Sequence, residues 1–134
     1  MTEEEWIDFL VYAMPQAVSI TRIPADLSHA LGCSTGLVQM HHSYAVKAHT
    51  KHGIDPYRLP MVGIAIDVGR AVLDRRGHLQ FFHFDEVVFG KWFHVVVKPN
   101  APLTELWISS IHITKPKEVA RHTKAGRVLR PEKR

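Results

Sequence analysis

From Gly69 onward the chain adopts a period of two, which most narrowly limits what it can fold into. RAVLD and HLQFFHF stand on either side of Arg75, Arg76 and Gly77. They read as a β-hairpin. KWFHVVVK follows Gly90, PNAPLT makes the next turn, and ELWISSIHIT is the longest strand. Pro116 then opens a last helix, PKEVARHTKAG, with Lys117, Arg121 and Lys124 on one side.

The upstream half has a different texture. Thr2 and Glu5 have capping-box spacing, and Trp6, Phe9, Leu10, Ala13 and Met14 recur at helical period. A first helix therefore runs to about Tyr12 or Met14 and stops at Pro15. AVSITRIP reads as a short strand and ADLSHALG as a short helix. SHALGCSTGLVQ has the spacing of a helix-turn-helix, but Gly36 inside its second arm and the lack of Lys or Arg before Lys47 argue against a DNA-reading helix. Leu37 to Met40 reads as extended, and a helix starts near Ser43, whose hydroxyl can cap it. IDPYRLPMVG is a connector broken by two prolines, and Val62 to Val68 fits helix or strand equally. Helices followed by an antiparallel meander of about four strands make an α+β fold, N-terminal helices on a sheet with a basic C-terminal helix.

Two groups of residues carry chemistry. HHSYAVKAHTKHG, residues 41–53, holds four histidines and two lysines in one helix that Gly53 can close in the left-handed conformation. His42, Ala45, His49 and His52 share a face, flanked by Lys47 and Lys51. The second group lies on the strands. Phe93, Val95 and Val97 point to the core, and Trp92, His94, Val96 and Lys98 point away. Pairing Lys98 with Leu106 sets His94 opposite Ser110 and Trp92 opposite His112. The result is a polar face bearing Lys98, His94, Ser110, His112 and Thr114.

Charge and cysteine content narrow the setting. The formal net charge is +4. Residues 1–114 carry nine Lys or Arg against eleven Asp or Glu, and residues 115–134 carry eight against two. The positive surplus thus lies in the last twenty residues, as in a segment that meets a polyanion. Cys33, the single cysteine, has no internal disulfide partner and belongs to no zinc-binding cluster. No apolar run approaches the roughly 20 residues of a membrane span, and MTEEEWIDF is acidic where a signal peptide is basic. These features predict one soluble, unprocessed cytoplasmic domain, residues 1–134.

The order Lys51-His52, Leu79-Gln80-Phe81-Phe82, Val95-Val96-Val97-Lys98 and Glu105-Leu106-Trp107-Ile108-Ser109-Ser110 resembles the phage-associated branch of the barnase/EndoU/colicin/RelE-like nucleases. The resemblance covers roughly residues 37–130, with residues 1–36 as an N-terminal helical extension. It implies a small metal-independent ribonuclease without cofactor, often a toxin of phages or mobile elements, with RNA as substrate and an antitoxin or immunity protein as partner. In that chemistry the ribose 2′-OH attacks the adjacent phosphate, a base takes its proton, an acid protonates the leaving 5′ oxygen, and cations stabilise the phosphorane. His52 is then general base or acid, and His112 or His94 takes the complementary role. Lys51 and Lys98 stabilise the phosphorane, Ser110 donates to a phosphate oxygen, Trp92 stacks on a base, and Arg121, Lys124 and Arg127 hold the RNA backbone. His41, His42 and His49 lie outside this pattern, and His29, His78 and His122 receive no role. Two other classes remain: a metal-dependent hydrolase using His42, His49 and His94, and a non-catalytic nucleic-acid- or partner-binding module of the same fold.

Overall fold

The computed structural model describes residues 2–12, 16–54, 58–86 and 90–133. Among these, the elements in chain order are α1 (Glu3–Tyr12), β1 (Ala17–Arg22), α2 (Ala25–Ala30), β2 (Leu37–His41), α3 (His42–His52), α4 (Met61–Val68), β3 (Arg70–Leu73), β4 (Leu79–Asp85), β5 (Lys91–Pro99), β6 (Leu106–Thr114), α5 (Pro116–Ala125) and β7 (Arg127–Arg130). All seven strands join one sheet in the order β1-β2-β6-β5-β4-β3-β7.

The class is α+β, but the sheet is larger than the expected four strands and is mixed. β3 to β6 form the predicted meander. β1 and β2 add an antiparallel pair at one edge, joined to β6 by a short parallel contact of Val38 with Leu106 and Gln39 with Trp107. β7 adds the other edge against β3. These outer strands are short and do not alternate cleanly, so their membership depends on partners distant in sequence.

Local signals explain most helix ends. The Thr2–Glu5 capping box forms reciprocally, at 3.1 Å from Glu5 N to Thr2 Oγ1 and 3.0 Å from Thr2 N to Glu5 Oε1. The expected stop at Met14 or Pro15 lies outside the described residues. α3 ends at Gly53, with φ 64°, as its sequence predicts. Its start differs: the N-cap is His41, whose ring accepts from Ser43 N, so Ser43 is not the cap. Val62 to Val68 is helical. α4 buries Val62, Ala65 and Ile66 and ends at Gly69, where a Cβ would lie 2.3 Å from Ala65 O and 2.7 Å from Phe82 O. None of the described helices is long and apolar enough to cross a membrane.

The sheet has two unlike faces. One carries Leu79, Phe81, Phe93, Val95, Val97, Ile108 and Ile111 into the main core, completed by Trp6, Phe9, Leu27, Ala45, Ala48 and Ile66. Residues before 37 thus share this core and also supply β1. Burying a side chain of Leu or Phe size contributes about 1.5–3 kcal/mol, so this layer dominates stability. The other face is covered only in part: Val119 of α5 closes a small cluster with Val72 and Phe82, against which Trp92 packs.

The register of β5 and β6 corrects the expected one. Pro99 faces Leu106, Lys98 faces Trp107, Val96 faces Ser110, His94 faces His112 and Trp92 faces Thr114. The pairing shifts between Val96 and Val97, leaving Ser109 as the extra residue of a β-bulge. The bulge lets Leu106 and Ile108 on one side of it, and Ile111 on the other, all reach the core. Unbroken alternation would have placed Leu106 and Ile108 on the polar face with His112.

Candidate active site

The partly covered face is built in cross-strand rows. Arg70, Phe82, His94 and His112 form one row across β3 to β6, and Val72, Gln80, Val96 and Ser110 form the next. Neighbours within and between rows are close enough for side chains to bond. Here they form a continuous hydrogen-bonded chain.

The chain starts at Asp74, in the β3–β4 turn. Its Oδ1 accepts from Arg76 N and His78 N, each at 2.9 Å, and Oδ2 accepts from Gln80 Nε2 at 3.0 Å. Burial works against the charged carboxylate, but these bonds, that from His78 N foremost, outweigh it and hold the pKa below its ordinary value. A carboxylate only accepts, so Gln80 turns its amide nitrogen to Asp74 and its oxygen to His94. His94 Nε2 therefore donates to Gln80 Oε1, at 2.7 Å. His94 is 3% exposed and its ring stacks on Phe82 with centroids 4.4 Å apart. Burial first, then the neighbouring His112 and His122, push its pKa down to about 3.

A neutral ring that donates through Nε2 must accept through Nδ1. His112 Nε2 therefore donates to His94 Nδ1, at 2.8 Å. His112 is also held below the ordinary histidine value, by burial, then by His52 and His122. Its remaining nitrogen, Nδ1, is an acceptor, and the Ser110 hydroxyl donates to it at 3.0 Å. The direction of every bond from Ser110 to Asp74 thus follows from the one carboxylate at its end.

The Ser110 end opens to a small cleft. β2 pairs with only the first residues of β6, and α3 packs against β6 beyond that point. Tyr44, Lys47, Ala48 and His52 of α3 line the cleft with Ser110 and Ile111. The His52 ring lies 5.7 Å from the His112 ring. At the other side His122 of α5 sits 5.1 Å from His94, and burial is the main cause of its lowered pKa. Four imidazoles from four elements therefore lie in one run, His52 of α3, His112 of β6, His94 of β5 and His122 of α5.

His52, Ser110, His112 and His94 are thus brought together. Lys51 is exposed on the last turn of α3, and Lys47, one turn earlier, is the lysine that lines the cleft. Lys98 lies at the far end of the face in a row with Trp107 and Gln39. Thr114 lies at the opposite end, beside Trp92. Trp92 is engaged: its ring packs 5.5 Å from Phe84, and the Arg70 guanidinium lies 5.9 Å over it. Trp107 is, like Trp92, half-buried on the polar face.

The basic C-terminal residues divide between surface and structure. Arg121 is exposed and pairs with Glu118 at 2.7 Å, and Lys124 is exposed on the same helix. Arg127 is on β7, four strands from β6, roughly 19 Å away at about 4.8 Å per strand. Arg130 turns inward and donates to Ile66 O at 2.6 Å and Gly69 O at 2.7 Å, closing the end of α4.

The three histidines considered as metal ligands are not gathered. His42 Nε2 bonds Leu10 O at 2.8 Å, His49 Nδ1 bonds Ile54 O at 2.9 Å, and His94 belongs to the chain described above. Among the described residues no three His, Cys, Asp or Glu side chains form a group that could hold a metal ion.

Sequence reasoning gave no role in the site to Asp74, Gln80 or His122, and noted Lys47 only as flanking the histidine face of its helix. Gln80 had a signal, as one polar residue in the apolar run LQFF. His122 had none, because only the docking of α5 sets it against the sheet. No protein-family model, curated protein or solved structure matches this chain.

Proposed function

We propose that the chain is a metal-independent ribonuclease whose reacting centre is the cleft between the end of α3 and the β5–β6 face. The observation that supports this reading is the directed chain Asp74–Gln80–His94–His112–Ser110, which presents a neutral imidazole nitrogen, His112 Nδ1, beside an α3 imidazole. In this mechanism the ribose 2′-OH takes the place of the Ser110 hydroxyl at His112 Nδ1 and gives its proton there as it attacks phosphorus. His52 protonates the departing 5′ oxygen. Ser110, released from His112, donates to a phosphate oxygen, and Lys47, with Lys51 behind it, offsets the charge developing on the phosphorane. The products are a 2′,3′-cyclic phosphate and a 5′-hydroxyl.

Single-stranded RNA suits the rest of the face. Trp107, flanked in register by Lys98 and Gln39, offers an indole for a base beside an ammonium group for a phosphate. Arg121 and Lys124 are outlying contacts for the backbone. In its setting the protein is a cytoplasmic toxin of a phage or mobile element, held in check by an antitoxin or immunity protein that covers the cleft.

The test is incubation with total RNA in the presence of a chelator, followed by mapping of the cut ends. Cyclic phosphate ends are expected, with rates lowered about 10²–10⁴-fold in His112→Ala and His52→Ala. Loss of cleavage in chelator, or full activity of His112→Ala, would overturn the proposal. RNA binding without cleavage by the parent chain favours a non-catalytic binding module.

A further inference from the structure

Ser109 and Ser110 are neighbours on the bulge of β6, yet their hydroxyls have different fates. Ser109 Oγ donates to Val96 O, at 3.4 Å, within the sheet. Ser110 Oγ is 3.0 Å from His112 Nδ1 and lines the cleft with Lys47 and His52. A hydroxyl bonded to an imidazole, which is oriented through its other nitrogen by a third group, is the arrangement that activates a serine nucleophile. Here the orienting group is His94, fixed in turn by Gln80 and Asp74. Whichever hydroxyl sits at His112 Nδ1 is the one activated, and without RNA that hydroxyl is the protein's own.

We infer that Ser110 Oγ is itself a nucleophile toward phosphoric and phosphonic esters and fluorides with a good leaving group. This goes beyond the ribonuclease reading, in which the attacking hydroxyl belongs to the substrate and Ser110 only donates a hydrogen bond. In the step, the Oγ–P bond forms and the bond from phosphorus to the leaving group breaks. The leaving group departs with its electron pair, and the Oγ proton passes to His112 Nδ1. The Lys47 ammonium, in the same cleft, faces the charge that gathers on the phosphoryl oxygens. Ser109 lacks a base and stays inert.

A fluorophosphonate probe tests this on the full chain, near neutral pH and without RNA, read by intact mass and peptide mapping. One adduct is expected, on Ser110 and not on Ser109. Ser110→Ala should remain unlabelled, and His112→Ala, with its fold checked by circular dichroism, should react at least about tenfold more slowly. Unfolding the parent chain in urea should abolish labelling, which separates site activation from ordinary serine reactivity without relying on any variant. No adduct on Ser110 of the folded protein, equal labelling of Ser109, or an unchanged rate in His112→Ala would each overturn the inference. Absence of labelling alongside intact RNA cleavage counts against the Ser110 nucleophile alone. Labelling without RNA cleavage supports it and removes the ribonuclease reading instead.

Discussion

His94 Nδ1 and His112 Nε2 lie 2.8 Å apart across the β5–β6 pair, so the N–H of one imidazole is held by the lone pair of another. Either ring could donate in such a bond, but the Gln80 amide oxygen beyond His94 takes the Nε2–H and so leaves Nδ1 to accept from His112. The orientation of the His112 ring beside the cleft is thus decided at the β3–β4 turn.

Replacing Gln80 with Leu should therefore act at a distance. It leaves the buried His94 Nε2–H without an acceptor, at a cost of about 1–3 kcal/mol in stability. It also frees His94 to take the other tautomer, which turns its N–H toward His112. The nitrogen NMR shifts of both rings should change together, and RNA cleavage should fall in kcat with little change in KM. Unchanged ring shifts would show that Gln80 does not set the tautomer.

Stability should depend on pH with a definite sign. Folded His94 has its pKa held at about 3, by burial first and then by its two histidine neighbours, whereas an unfolded histidine titrates near about 6.5. Between those values the unfolded chain binds the extra proton, so the contribution is complete above about pH 6.5 and is lost as pH falls toward 3. His112 and His122 are shifted in the same direction and add to it. Urea midpoints should decline steadily from about pH 7 to about pH 4, and less steeply in His94→Gln. A flat profile would contradict a neutral buried His94.

The two half-buried tryptophans of the polar face should separate cleanly. Trp107→Ala should weaken binding of a non-cleavable 2′-deoxy oligonucleotide by about 1–3 kcal/mol and leave the urea midpoint nearly unchanged. Trp92→Ala should do the reverse, because its ring packs on Val72, Phe82 and Val119 beneath Arg70. Fluorescence titration and denaturation of both variants decide the matter.

The basic end should prove partly structural. Arg130→Met removes the donors that close the end of α4 and should lower stability by about 1–3 kcal/mol. Arg127→Ala, on an exposed position of β7, should stay within about 0.5 kcal/mol of the parent. Equal, small effects in both would mean that Arg130 contributes nothing to that helix end.

Where the controlling interactions are local, the sequence alone determines the structure. The capping box at Thr2 and Glu5, the left-handed stop at Gly53, the β3–β4 hairpin and the helix opened by Pro116 each depend on residues within a few positions of one another. The polar character of the His94 face was legible for the same reason, since alternation places it opposite Phe93, Val95 and Val97. The bulge was almost legible: Ile108 and Ile111 are three apart where strict alternation requires two, the mark of one inserted residue. Reading Ser109 as that residue and pairing Pro99, in place of Lys98, with Leu106 sets His94 against His112.

Only tertiary structure decided the rest. The parallel contact of β2 with β6 and the addition of β7 are long-range pairings that leave no periodic trace in short strands. Closeness of His52 to His112 depends on how α3 meets β6, and that of His122 to His94 on how α5 covers the sheet. The proton positions are the extreme case. Each imidazole has two interchangeable forms in isolation, and a carboxylate in the β3–β4 turn selects one form at each site through hydrogen bonds that join three strands.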